Sequence, residues 1–155
     1  MADMPPPDSR FAFSNEAAAY ALLRFTLGLN ILMHGVVRLA MGPSVFAGTL
    51  EKGFAETPLP LPWVHAFAWS LPFFETLAGA LLMVGAWTRA ALLAGGVLMA
   101  VLVFGTALRS QWDTLGLQMI YVALYSALLG TLRFNTLSVD GWRARGSTAG
   151  APHSR

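Results

Sequence analysis

VHAFAWSLPFFETLAGALLMVGA, residues 64–86, decides the fold. The stretch holds one carboxylate, Glu75, and no lysine or arginine. A helix crosses the hydrocarbon core of a bilayer with about 20 mostly apolar residues. Core helices of water-soluble proteins are rarely this long without a polar stripe. Three further segments, 17–37, 90–108 and 114–132, have the same length and character. The expected fold is all-α: an integral membrane four-helix bundle with antiparallel neighbours, its partner the lipid bilayer.

Composition agrees with that reading. The chain is 55% hydrophobic and 12% charged, against about 25% charged in an ordinary soluble domain. The net charge of +2 is small and the basic residues are scattered, so no nucleic-acid surface is expected. The absence of cysteine excludes disulfides, thiolate metal sites, iron–sulfur ligation and a persulfide relay within this chain. Residues 1–16 hold three consecutive prolines and more acid than base. They lack the basic start of a signal peptide and are expected to be a disordered cytoplasmic tail. Residues 17–140 form the membrane domain, and 141–155, rich in Gly, Ser, Ala and Arg, a second disordered cytoplasmic tail.

Two connections are short, 87–89 and 109–113, and short turns force antiparallel neighbours. The loop 38–63 is the long one. Within it Ser44 to Phe54 reads as a short helix capped by Ser44, with Val45, Phe46, Leu50 and Phe54 on its apolar side. An apolar helix between spans is expected to lie on the bilayer surface. Arg10, Arg89, Arg133, Arg143 and Arg145 flank the spans on one side, and Arg38, Lys52 and Arg109 on the other. That excess puts both termini in the cytoplasm of a bacterial cell, with the long loop outside its inner membrane.

An ionisable group inside a span costs about 2.5–3.5 kcal/mol and needs a partner or a wet cavity. The first span carries Arg24, Asn30 and His34, with Arg38 at its outer end. The second carries Glu75, and the fourth Gln118, Tyr121 and Tyr125. At 100° per residue, Arg24, Gly28, Asn30, His34, Gly35 and Arg38 fall within roughly 160° of one another. Ala68, Pro72, Glu75, Gly79 and Ala86 share a face about 60° wide, and Gln111, Gln118, Tyr121 and Tyr125 one about 80° wide. Three helices thus turn polar-and-small faces inward, while Gly95, Gly96 and Gly105 let the third approach closely.

Centring the spans at Leu27 and Glu75 puts Arg24 about 4–5 Å below the midplane and His34 about 10 Å above it. An Arg24–Glu75 ion pair is therefore expected, because a guanidinium fork suits a desolvated carboxylate. His34, Arg38, Arg109, Gln118 and Tyr121 would line an outer-half cavity above it. His34 and His65 lie at different heights and the H-E-x-x-H spacing is absent, so neither haem nor metal is expected.

The motifs Leu23-Arg24-Phe25-Thr26-Leu27-Gly28, His34-Gly35-Val36-Val37-Arg38, Pro72-Phe73-Phe74-Glu75 onward to Gly85, Thr88-Arg89 and Leu137-Ser138-Val139-Asp140 together resemble the DoxX family of small four-helix bacterial membrane proteins. The resemblance covers residues 17–140. It implies a membrane subunit tied to redox or sulfur metabolism at the quinone pool, with any sulfur chemistry on a partner subunit.

On that reading the cavity holds a quinone headgroup as cofactor. Glu75 and His34 move protons or donate hydrogen bonds, and Arg24, Asn30, Arg38, Arg109, Gln118, Tyr121 and Tyr125 bind. The alternative is a non-catalytic accessory or chaperone-like subunit that binds a partner protein, or a homo-oligomer, with Arg24–Glu75 a structural clasp. A transporter lacks support, since neither an internal repeat nor a broken-helix pair is present.

Overall fold

The computed structural model describes residues 14–149. Residues 1–13, most of the first expected tail, and 150–155, the last part of the second, lie outside them. The described chain is helical throughout: α1 (Asn15–Met41), α2 (Pro43–Phe54), α3 (Leu61–Val84), α4 (Thr88–Leu108), α5 (Trp112–Gly130) and α6 (Val139–Ala149), with a 3-10 turn at Leu132–Phe134.

Local chemistry sets the helix ends. The Ser14 hydroxyl accepts the Ala17 N–H at 3.2 Å and starts α1. Gly42, at φ +98°, ends it. Pro43 then occupies the first turn of α2, where its fixed φ fits and no N–H is missed. The expected Ser44 cap is thus corrected: Gly42 is the capping position and no side chain caps α2. Gly85, in the left-handed region at φ +69°, ends α3. Its N–H and that of Ala86 reach the Leu81 carbonyl at 2.9 and 3.0 Å.

Three helices, α1, α3 and α4, are long and apolar enough to cross a membrane. The expected fourth span, α5, is a helix of 19 residues. It falls outside that set because Asp113, Gln118, Tyr121 and Tyr125 dilute its apolar residues. Chain order nevertheless returns α5 to the end where α1 begins, since Arg24 on α1 bonds the Leu137 carbonyl just beyond α5.

The closest helix pair is α1 against α3, antiparallel. A Cβ on Gly28 would meet the Met83 nitrogen at 2.7 Å and the Gly79 carbonyl oxygen at 2.9 Å. One on Gly35 would meet the Pro72 carbonyl oxygen at 2.6 Å, and one on Gly79 the backbone of Leu32 and Gly28. The expected small face of α3 is buried at Ala68, Pro72, Glu75 and Gly79. On α4 only part of the glycine expectation holds. Gly95 meets the Tyr125 ring and Gly105 the Phe54 ring, but Gly96 faces open space. Tyr20, Leu27, Leu82, Leu92, Tyr125 and Leu128 form the apolar core between the helices.

The segment after Asp140 was expected to be disordered, and to residue 149 it is instead helical. What ties it down is Asp140. Its Oδ1 accepts the Trp87 N–H at 2.9 Å and its Oδ2 the Thr88 N–H at 2.7 Å. A carboxylate thereby satisfies otherwise unmet donors at the positive end of α4. Partial burial pushes this carboxyl up, but the Thr88 and Trp87 bonds and the Arg143 charge outweigh it and hold the group below the usual aspartate range. The charged form therefore stabilises the fold above the ordinary value of about 3.9. That contribution disappears as the pH falls through the lower folded value. Asp140→Asn should remove this part of the acid sensitivity. Melting curves between about pH 2 and 5 check it; superimposable wild-type and variant profiles would count against the clamp.

Candidate functional site

Glu75 sits on the buried face of α3, 3% exposed. Its Oε1 pairs with Arg38 on α1, and its Oε2 is buried without a partner among the described residues. The expected Arg24–Glu75 pair does not form, and the reason is axial register. With Gly28 beside Gly79 and Met83, and Gly35 beside Pro72 and Thr76, Glu75 lies level with Gly35. Centring each span at its own midpoint had placed it level with Leu27. The error is about eight residues, or about 12 Å of rise. Arg38 is then the cation within reach.

Arg24, also 3% exposed, lies near the opposite end of α3. One guanidinium nitrogen donates to the Leu82 carbonyl and, at 2.9 Å, to that of Met83. The other donates to the Leu137 carbonyl at 3.0 Å. A cation thus meets carbonyls at the negative end of a helix, as both orphan acceptors and the helix dipole favour. Arg24 joins α1, α3 and the segment leading to α6; it binds no cavity.

The cavity lies at the other end, beneath α2. It has a volume of about 400 Å³ and includes Arg38, Arg109 and Gln118 among its walls. Those three expected residues do converge, and the Gln118 Oε1 is buried without a partner among the described residues. Most of the wall is apolar, and α2 roofs it with Phe46, Leu50 and Phe54. Two guanidinium groups hold that roof: Arg38 over the Phe46 ring at 4.8 Å and Arg109 over the Phe54 ring at 5.2 Å. Such contacts are worth about 0.5–2 kcal/mol each. The Glu51 carboxylate and the His65 ring nitrogen, 2.7 Å apart, fasten α2 to α3.

The remaining expected residues are elsewhere. His34 and Asn30 are exposed and line a shallow surface hollow with Met33, Val37, Met41 and Phe46. A 160° arc is wider than one helix contact can bury, and these two lie on its rim. Tyr121 donates to the Asn30 side-chain oxygen at 3.2 Å, linking α5 to α1. Tyr125 is buried against Gly95. The roof residues Phe46, Leu50 and Phe54 were missed as site residues, although their spacing had already placed them on one face. Among the described residues no cluster of His, Asp and Glu could hold a metal.

Residues 16–119 match the family model described as methylamine utilisation protein MauE. This overturns the DoxX resemblance, because the matched stretch contains every motif that suggested it except Leu137 to Asp140. Those motifs are short, and glycines and a charge pair are what any close crossing of two spans requires. No curated protein and no solved structure matches the chain.

Proposed function

The chain belongs to the MauE family, and we propose that it is a non-catalytic accessory membrane subunit of methylamine utilisation that acts on a partner protein. In this reading α5 is a fourth span, and both termini face the cytoplasm of a bacterial inner membrane. One structural observation supports the accessory role. Arg24 and Arg38 are engaged by the fold itself, Arg24 by carbonyls and Arg38 by Glu75, while His34 is exposed. Deleting the gene in its host tests the proposal. Growth on methylamine should fail while growth on ammonium continues, and extracts should lack methylamine-consuming activity although its genes are transcribed. Undiminished growth on methylamine would overturn it.

A second reading rests on the cavity. Aromatic walls with a few convergent polar groups suit an aromatic headgroup, and the unpartnered Gln118 oxygen would accept a quinol hydroxyl. On this reading the protein is a quinone-linked redox subunit, and Glu75, with one free oxygen, handles a proton. Purification from native membrane followed by solvent extraction should yield quinone in at least a fair fraction of the molar amount of protein. Gln118→Leu should lower that fraction; protein free of quinone that binds none on addition would end this reading.

A further inference from the structure

Three arginines line one groove at the end of the molecule where α6 lies, Arg89, Arg133 and Arg145, the last donating to the Thr136 carbonyl at 3.3 Å. Arg89, in the first turn of α4, and Arg133, in the 3-10 turn, line an open groove of about 510 Å³ with Asn135 and Thr136. The Arg133 guanidinium lies over the Phe134 ring at 4.8 Å. Neither Arg89 nor Arg133 makes a hydrogen bond or ion pair with a described residue. Asp140 also borders the groove, but both its oxygens are taken by backbone N–H groups of α4. The groove is therefore rich in unmet, cationic donors.

The groove continues onto a surface of different chemistry. Arg89 and Asp140 also border a smaller hollow of about 350 Å³ formed with Trp87, Ala90 and Leu93. Beyond it Leu93 and Val97 are exposed along α4, one of the helices long and apolar enough to cross a membrane. Trp87 and Trp142, 69% and 71% exposed, sit at the same end, as aromatic side chains do at the headgroup level of a bilayer. Cationic donors and an apolar strip thus meet at Arg89.

We propose that this groove is a headgroup site for an anionic phospholipid. Its phosphodiester lies between Arg89 and Arg133, and an acyl chain runs along Leu93 and Val97. Planar guanidinium forks match phosphate oxygens in pairs. The apolar strip selects a lipid over a free phosphate ion, and three arginines against the one carboxylate of Asp140 leave the groove net cationic, which favours an anionic lipid over a zwitterionic one.

Native mass spectrometry of the full-length protein in detergent tests this, with phosphatidylglycerol and phosphatidylcholine of matched chains supplied in equal amounts. Wild type should retain phosphatidylglycerol preferentially. Arg89→Gln and Arg133→Gln should each lower that preference about fivefold, and the double variant about 30-fold, from the attraction of each cation for an anionic surface. Arg109→Gln, at the opposite end, should leave it unchanged. Should the double variant fail to fold, the single variants carry the test. Equal retention of the two lipids, folded single variants with wild-type preference, or an equal loss in Arg109→Gln would overturn the site. Displacement of the lipid by millimolar inorganic phosphate would overturn its assignment to a lipid.

Discussion

Gly79→Leu should leave no folded, monodisperse protein in detergent, whereas Gly96→Leu should be recovered with nearly wild-type yield and melting temperature. A side chain at 79 would run into the backbone of Leu32 and Gly28, while position 96 faces open space. Extra methylenes among mobile side chains cost about 1–3 kcal/mol. Backbone atoms cannot swing aside, so at Gly79 the helices α1 and α3 must part. Parting them separates Arg38 from Glu75 and Arg24 from the end of α3. The cost therefore exceeds that of a local clash. Size-exclusion profiles and thermal unfolding of the two variants measure the difference. A Gly79→Leu protein that melts with wild type would refute the crossing.

Arg24→Leu destabilises the fold by roughly 3 kcal/mol or more, since buried carbonyls left unmet cost about 1–3 kcal/mol each. Met83 and Leu137 lose their guanidinium donors. Arg24→Lys should recover little, because one ammonium cannot span carbonyls on two segments as the planar fork does. Glu75→Gln added to Arg24→Leu should be additive within about 0.5 kcal/mol, as expected of groups that share no partner. Unfolding of the two singles and the double, scored for residual coupling, checks both points. A large coupling between 24 and 75 would restore the ion pair expected from the sequence.

That misassigned pair shows where the sequence could be read and where it could not. Residues on one face follow from 100° per residue, so the inward placement of Gly28, Gly35, Ala68, Pro72, Glu75 and Gly79 was legible. Vertical register was not. It depends on where the glycines let two backbones touch, here Gly28 against Gly79 and Met83 and Gly35 against Pro72 and Thr76. The full extents of α1 and α3, Asn15–Met41 and Leu61–Val84, would by their midpoints still set Glu75 beside Arg24, so matching helix centres could not find it. Arg24 then found carbonyls, acceptors that every sequence has and none announces. For the same reason α6 was unreadable: its anchor is one carboxylate, Asp140, on the distant N-terminus of α4. The cavity was half legible. Its polar members Arg38, Arg109 and Gln118 were named, but its roof was assigned to the bilayer surface.

The proposed accessory role makes the Arg38–Glu75 pair a clasp and not a reacting group. Removing Arg38 leaves the Glu75 carboxylate, 3% exposed, buried without its partner, at about 3–5 kcal/mol, while replacing both with apolar residues is often neutral; removing Glu75 costs less, because the Arg38 side chain is a quarter exposed. The most direct measurement is growth on methylamine of host strains carrying Arg38→Leu, Glu75→Leu or both, with membrane levels of each protein quantified. Arg38→Leu should fail to accumulate, Glu75→Leu should accumulate at a reduced level, and the double variant should accumulate and support growth. A double variant present at wild-type levels that does not support growth would contradict the clasp and make Glu75 a working group.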